Sequence, residues 1–236
     1  MTGPGESPRR TRDFVLEAHD RLRALLPALT DGAEREPSAL PGWSRAHLLS
    51  HVEGVALAQA RQARYALRGE LVEVYDGGRP ARAAAIEAGA VRGAAELRTA
   101  VTAALDSAAD AWSAVGPDDW GRRVAYRDGV LLDALLAWWR EVEIHTADAR
   151  LGSGTREWRR EFCAHALDFL APRAPEGVRL TLVATDGPER RTLGGAGRPL
   201  TVAGRLTDLT AWLAGRAPEG QTTPPVENLP PLLPWP

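Results

Sequence analysis

The sequence predicts an α+β protein in which a helical N-terminal part is followed by a smaller mixed part. Apolar residues recur at helical spacing through most of the first ~150 residues, and period-two alternation first shows at Val178-Arg179-Leu180-Thr181-Leu182-Val183. Between them Gly152 and Gly154 punctuate the chain, and the composition changes after Gly154. The reading is therefore a helical domain over residues 1–153 and an α+β domain over residues 154–236.

The elements follow in order. Pro4 to Arg10 reads as a loose end. Phe14, Val15, Ala18, Leu22, Leu25, Leu26 and Leu29 then share one helical face, in a first helix that Pro27 kinks or ends. Residues 31–42 are a loop. A second helix opens at Ser44, carries Leu48, Leu49, Val52 and Val55, and runs to about Arg68, where Gly69 stops it. Residues 72–80 connect it to a helical stretch from near Ala81 through Ile86, Leu97, Val101, Leu105, Ala108 and Trp112, with Gly89 and Gly93 as candidate breaks. Residues 122–128 read as a small hairpin or extended loop, and residues 129–150 as the next helix. Four long helices joined by loops argue for an up-down four-helix bundle, whose facing helices can build a metal site in the core.

In the second part, residues 157–171 are helical, residues 178–183 and 199–204 are strands, and residues 206–215 form a helix. The tail of residues 222–236 is rich in proline; no regular helix or sheet is expected there, and its leucines and Trp235 suggest that it docks on the surface. Gly194-Gly195-Ala196-Gly197 lies between strands and does not match a dinucleotide fingerprint, so it reads as a turn.

Composition excludes several function classes. With 236 residues, 44% of them hydrophobic, the chain can bury a real core, and a net charge of −2 speaks against nucleic acid as a partner. The apolar runs are too short for a membrane span and the Arg-bearing N-terminus lacks a signal-peptide core, so a cytoplasmic protein is expected. All 29 basic residues are Arg; without Lys, neither a Schiff base nor a Walker lysine is available. Cys163 is the only cysteine, which rules out an internal disulfide and a Cys-based zinc cage. It reads as a core residue, so a thiol used in chemistry would come from outside.

The chemistry concentrates in Arg140-Glu141-Val142-Glu143-Ile144-His145. Glu141 and His145 are four apart on a helix and project from one face, within reach of a single ion. His51, on the second helix, is a third candidate. His47 shares its face, so spacing alone also permits a His47/His51 pair. Glu143 points elsewhere and reads as a surface or supporting group, while Asp148 either orients a ligand histidine or is an ordinary polar residue. His19 and His165 have no partner visible in sequence, and Trp138-Trp139 reads as core.

Taken together, Leu40-Pro41-Gly42-Trp43-Ser44 leading to His47 and His51, the connector Tyr75 to Arg82 with Ile86-Glu87-Ala88-Gly89-Ala90, the Arg140 to His145 segment, Trp212-Leu213-Ala214-Gly215-Arg216 and the ending Leu229-Pro230-Pro231-Leu232-Leu233-Pro234-Trp235 resemble the mycothiol-dependent maleylpyruvate isomerase family over nearly the whole chain. The resemblance implies a DinB-like metal-binding bundle followed by a small α+β domain. It implies that His51, Glu141 and His145 bind a divalent metal, zinc, and that Arg216 is a catalytic or substrate-binding residue. Three protein ligands leave a zinc position open, as catalytic sites do.

A thiol at such a site ionises near neutral pH, adds to the cis alkene of maleylpyruvate, allows rotation and is eliminated to leave fumarylpyruvate. The substrate carries two carboxylates, so arginine forks are expected beside the metal: Arg216 first and Arg82 second. The implied partners are a small-molecule substrate and a low-molecular-weight thiol, mycothiol; no membrane partner is expected, and a monomer is favoured over an oligomer. The alternative is a mycothiol S-transferase of the same superfamily acting on another electrophile. A non-enzymatic module with a structural metal fits the open ligand set poorly.

Overall fold

The computed structural model describes residues 7–236, and the chain divides at residues 153/154 into two compact units, each described here by itself. The first is helical. Helix α1 spans Pro8–Leu25, with Ser7 as its cap accepting from the Arg10 N–H at 3.3 Å and proline at the start, where its missing N–H does no harm. Of the expected loose end, residues 4–6 lie outside the described residues; residues 8–10 are helix because of that cap. Pro27 sits in a single 3-10 turn, Leu26–Ala28, that ends the element.

Helix α2 is Arg45–Leu67, α3 Gly78–Gly89, α4 Ala94–Ser113 and α5 Leu131–Asp148. The long stretch expected from Ala81 to Trp112 is thus two helices. The break follows Gly89, whose bare Cα lets α3 close on α2: a Cβ there would meet the Ser50 side chain at 2.3 Å. Neighbours run α1 to α5, α5 to α2, α2 to α4 and α4 back to α1, with α3 against α2. Leu22, Leu48, Leu49, Leu97, Leu105, Trp112, Leu135 and Trp138 are fully buried in this unit. Residues 122–128 are neither a full hairpin nor a plain loop: one bridge, Arg123 to Val130, is followed inside by a tight turn with Arg127 and Asp128 at positive φ.

The second unit combines α6 (Arg160–Phe169), α7 (Leu206–Leu213) and a mixed sheet of β1 (Val178–Ala184), β2 (Arg190–Leu193), β3 (Arg198–Gly204) and β4 (Thr222–Thr223), so the chain is α+β. The order is β2-β1-β3-β4, with β1 parallel to β3 (Val178 opposite Arg198) and the outer pairs antiparallel. Strand β1 alternates as expected, burying Val178, Leu180, Leu182 and Ala184. Strand β2, at the sheet edge, carries no apolar alternation in sequence because Leu193 is its one apolar residue; Arg191, on the Leu193 side, reaches Asp168 of α6 at 3.3 Å.

The glycine-rich run is the turn from β2 to β3, and it crosses the start of β1. A Cβ on Gly194 would meet the Val178 carbonyl oxygen at 2.6 Å and one on Gly197 the Gly177 carbonyl at 2.4 Å, so the crossing needs glycine. The tail is less irregular than expected, since Thr222–Thr223 joins the sheet; beyond it, Trp235 packs on Phe169 with ring centroids 5.9 Å apart. Cys163 is fully buried. Among the described residues no helix is long and apolar enough to cross a membrane.

Candidate metal centre

Two helix starts and one helix end set the site. The segment Leu40-Pro41-Gly42-Trp43 is a tight turn: the Trp43 N–H bonds to the Leu40 carbonyl at 3.1 Å, Pro41 fixes the second position and Gly42 takes the positive φ of +79° required at the third. Ser44 then caps α2, accepting from the His47 N–H at 3.3 Å while its own N–H donates to His47 Nδ1 at 3.3 Å. His47 thereby gives its Nδ1 to the cap, and its Nε2 lies 3.6 Å from Glu87 Oε2. One turn on, His51 is buried and points toward α5.

On α5, Glu141 and His145 are on one face. Three atoms converge there: His51 Nε2 lies 3.1 Å from Glu141 Oε2 and 3.2 Å from His145 Nε2, and His145 Nε2 lies 3.2 Å from Glu141 Oε2. Among the described residues this is the group able to hold a metal ion. A tetrahedral ion at about 2.0–2.1 Å from each donor separates them by roughly 3.3–3.4 Å, so the triangle needs almost no adjustment. The Glu141 side chain is 38% exposed against 7% for His51, so the centre opens on the carboxylate side.

The surroundings prepare these atoms. Asp148, fully buried one turn after His145, accepts from His145 Nδ1 at 2.9 Å, which turns Nε2 to the centre. Burial disfavours the His145 cation, but Asp148 and Glu141 outweigh it and push its pKa up to about 9. For Glu141, burial favours the neutral acid, and the two imidazoles outweigh it and hold the carboxyl well below its usual range. Burial holds His51 below its ordinary value. The Trp43 ring stands edge-on to His51, centroids 5.6 Å apart.

Arg82, on α3, reaches the same place: its Nη2 lies 2.9 Å from His51 Nδ1, and its guanidinium sits 5.7 Å from the Tyr75 ring centroid. Arg216 belongs to the second unit. There Gly215, at φ +74°, ends α7 with its N–H on the Trp212 carbonyl and the Arg216 N–H on the Ala211 carbonyl, both at 2.8 Å. This paired closure explains why glycine precedes the arginine. Arg216 Nη1 also donates to the Ala214 carbonyl at 2.8 Å.

Sequence reasoning missed several supporting residues. Gln62 ties two loops together, donating to the Val72 carbonyl at 2.8 Å and accepting from the Ala125 N–H at 3.1 Å and the Tyr126 N–H at 3.3 Å. Arg140 is buried beside Glu141 with the Tyr126 phenol as a partner, and burial pushes its pKa down to about 10. In the second unit, Arg173 donates to the Leu213 carbonyl at 2.6 Å and so braces the end of α7. A glutamine or arginine in a helix carries no sequence signal for such work. Glu143 also departs from expectation: it is buried and paired with Arg21, not on the surface.

A family model described as the mycothiol maleylpyruvate isomerase N-terminal domain matches residues 15–150. The chain belongs to that family. The match spans the helical unit and all three converging side chains. Over 100% of both chains, the fold is similar to a crystal structure of the mycothiol-dependent maleylpyruvate isomerase, with a TM-score of 0.85 at 23% identity. A histidine-to-alanine mutant of that enzyme gives a TM-score of 0.85 at 21% identity, again over 100% of both chains. At these identities the likeness is one of fold. No curated protein sequence matches the chain.

Proposed function

We propose that the chain is a mycothiol-dependent isomerase converting maleylpyruvate to fumarylpyruvate, with a divalent metal, zinc, held by His51, Glu141 and His145. The observation that carries this reading is the triangle of donor atoms 3.1–3.2 Å apart in a chain of this family. In this reading residues 1–153 are the metal-binding bundle domain and residues 154–236 a second domain that supplies Arg216. The enzyme is expected in the cytoplasm, as a monomer.

When bound, the metal's charge keeps the thiol of mycothiol ionised at neutral pH, and that thiolate is the nucleophile which reversibly saturates the cis alkene. The chain's own residues do the rest. Asp148 holds the His145 ring in the tautomer that offers Nε2. Arg82 has only donors, so its contact with His51 Nδ1 requires a lone pair on that atom. When His51 instead offers Nε2, its hydrogen sits on Nδ1 and Arg82 must turn away. Its fork is then available to a substrate carboxylate, and Arg216 is assigned the second carboxylate and the enolate charge that develops on addition.

The test is to incubate zinc-loaded protein with maleylpyruvate, with and without mycothiol, and follow fumarylpyruvate and total thiol. Conversion only with thiol present, and without loss of thiol, is the expected result. Unchanged maleylpyruvate would refute the reading, and a stable mycothiol adduct would replace it with an S-transferase.

A further inference from the structure

The loop that leads into α2 bounds a groove of about 430 Å³, lined by Arg35, residues 37–44 and His47. None of the three converging side chains lines it, yet it adjoins them. Trp43 lines the groove, and its ring meets His51 edge-on at 5.6 Å and lies over the His47 ring at 6.4 Å with 26° between planes. An occupant resting against Trp43 is therefore one ring away from a candidate metal ligand.

The groove is built in advance. Ser38 Oγ donates to the Trp43 carbonyl at 2.9 Å and accepts from the Leu40 N–H at 3.1 Å, across the Leu40 to Trp43 turn. The Ala39 N–H bonds at 2.8 Å to the carbonyl of Asp148, whose carboxylate holds His145. A loop fastened at both ends loses little freedom when a ligand arrives. The volume lies in the range of small-molecule sites.

The lining defines the chemistry of the occupant. The lining includes Trp43, His47 and Arg35 and contains no carboxylate, while the Ser38 hydroxyl is held within the loop and the Ser44 hydroxyl within the α2 cap. An indole suits the C–H face of a saturated ring, and the imidazole Nε2 of His47 and the guanidinium of Arg35 suit that ring's hydroxyls. We infer that this groove takes the sugar-like body of the thiol, with the sulfur directed to the His51, Glu141 and His145 centre. The inference rests on the thiol-dependent function proposed above and adds to it the site that would distinguish mycothiol, whose cysteinyl group is carried on a pseudo-disaccharide, from a bare cysteine derivative.

Calorimetric titration of the zinc-loaded full chain with mycothiol and with N-acetylcysteine tests it, on the wild type and on Ala39→Phe and Trp43→Ala. The wild type is expected to bind mycothiol at least about tenfold more tightly. Ala39→Phe, which fills the groove, and Trp43→Ala, which removes its wall, should each reduce that advantage to about threefold or less. Affinity for N-acetylcysteine and metal content should stay the same in Ala39→Phe. Equal affinity for both thiols in the wild type, or an advantage that survives in both variants, would overturn the groove assignment while leaving the isomerase reading intact if turnover persists. Failure of the wild type to bind either thiol would overturn both.

Discussion

Helix α5 makes two seams from the same kinds of residue, with different results. Against α1, His19 and Glu143 are buried among aromatics: Trp138 Nε1 donates to His19 Nε2 at 2.7 Å, Phe14 stacks on Trp139 at 5.7 Å, and Glu143 takes Arg21 and the Trp139 indole N–H. Burial pushes the His19 pKa down to about 4. Against α2, the Nε2 atoms of His51 and His145 face one another and a carboxylate at 3.1–3.2 Å, and the His145 pKa is pushed up to about 9. A buried histidine whose lone pair is used by a fixed indole donor is a packing residue. One whose Nε2 meets a second imidazole and a carboxylate at a point belongs to a group that could hold a metal ion.

The comparison can be broken most severely at the second seam. His145→Ala should lower the isomerisation rate on the order of a thousandfold or more, with helical circular dichroism unchanged; a parallel loss of helix would mean that the seam is structural. Asp148→Asn keeps the shape but weakens the acceptor that fixes the His145 tautomer. Metal affinity should drop about 10–100-fold, read by competition with a chelating dye. Arg82→Met should raise the KM for maleylpyruvate about tenfold without lowering metal affinity, because Arg82 contacts the ring nitrogen that is not aimed at the centre. A fall in metal content would instead make Arg82 a support for His51.

At the first seam the effect is on stability alone. The native His19 pKa of about 4 lies below its unfolded value of 6.5, so the unfolded chain takes up the proton first. Its contribution is complete above about pH 6.5 and is lost as pH falls toward 4, by about 3 kcal/mol at most. His19→Leu should be less stable than the wild type at pH 7, where the Trp138 N–H loses its acceptor, and the gap should close toward pH 4.5 in urea unfolding. A gap independent of pH would show that His19 is not held neutral.

Much of this was legible in the sequence because local rules act on neighbouring residues. The i to i+4 spacing of Glu141 and His145, the Ser44 cap and the Gly69 and Gly215 stops each follow from one turn of helix. Glu143 was misjudged because its partner, Arg21, is 122 residues away, and no spacing rule sees across α1 and α5. The Arg82 contact with His51 and the Gln62 clamp come from the same kind of distant approach. Strand β2 shows no apolar alternation because arginine occupies the inward position two before Leu193, and β4 is too short for a period. Spacing alone leaves His47 and His51 equivalent; the fold gives His47 Nδ1 to the Ser44 cap and brings His51 together with Glu141 and His145.

The most direct test of the difference between the two seams is metal content, measured by plasma mass spectrometry after zinc loading and desalting, in the wild type, His51→Ala and His19→Leu. One equivalent per chain in the wild type and in His19→Leu, with almost none in His51→Ala, is the predicted result. Full zinc in His51→Ala, or loss of zinc in a folded His19→Leu, would contradict the assignment of the metal to the α2–α5 seam.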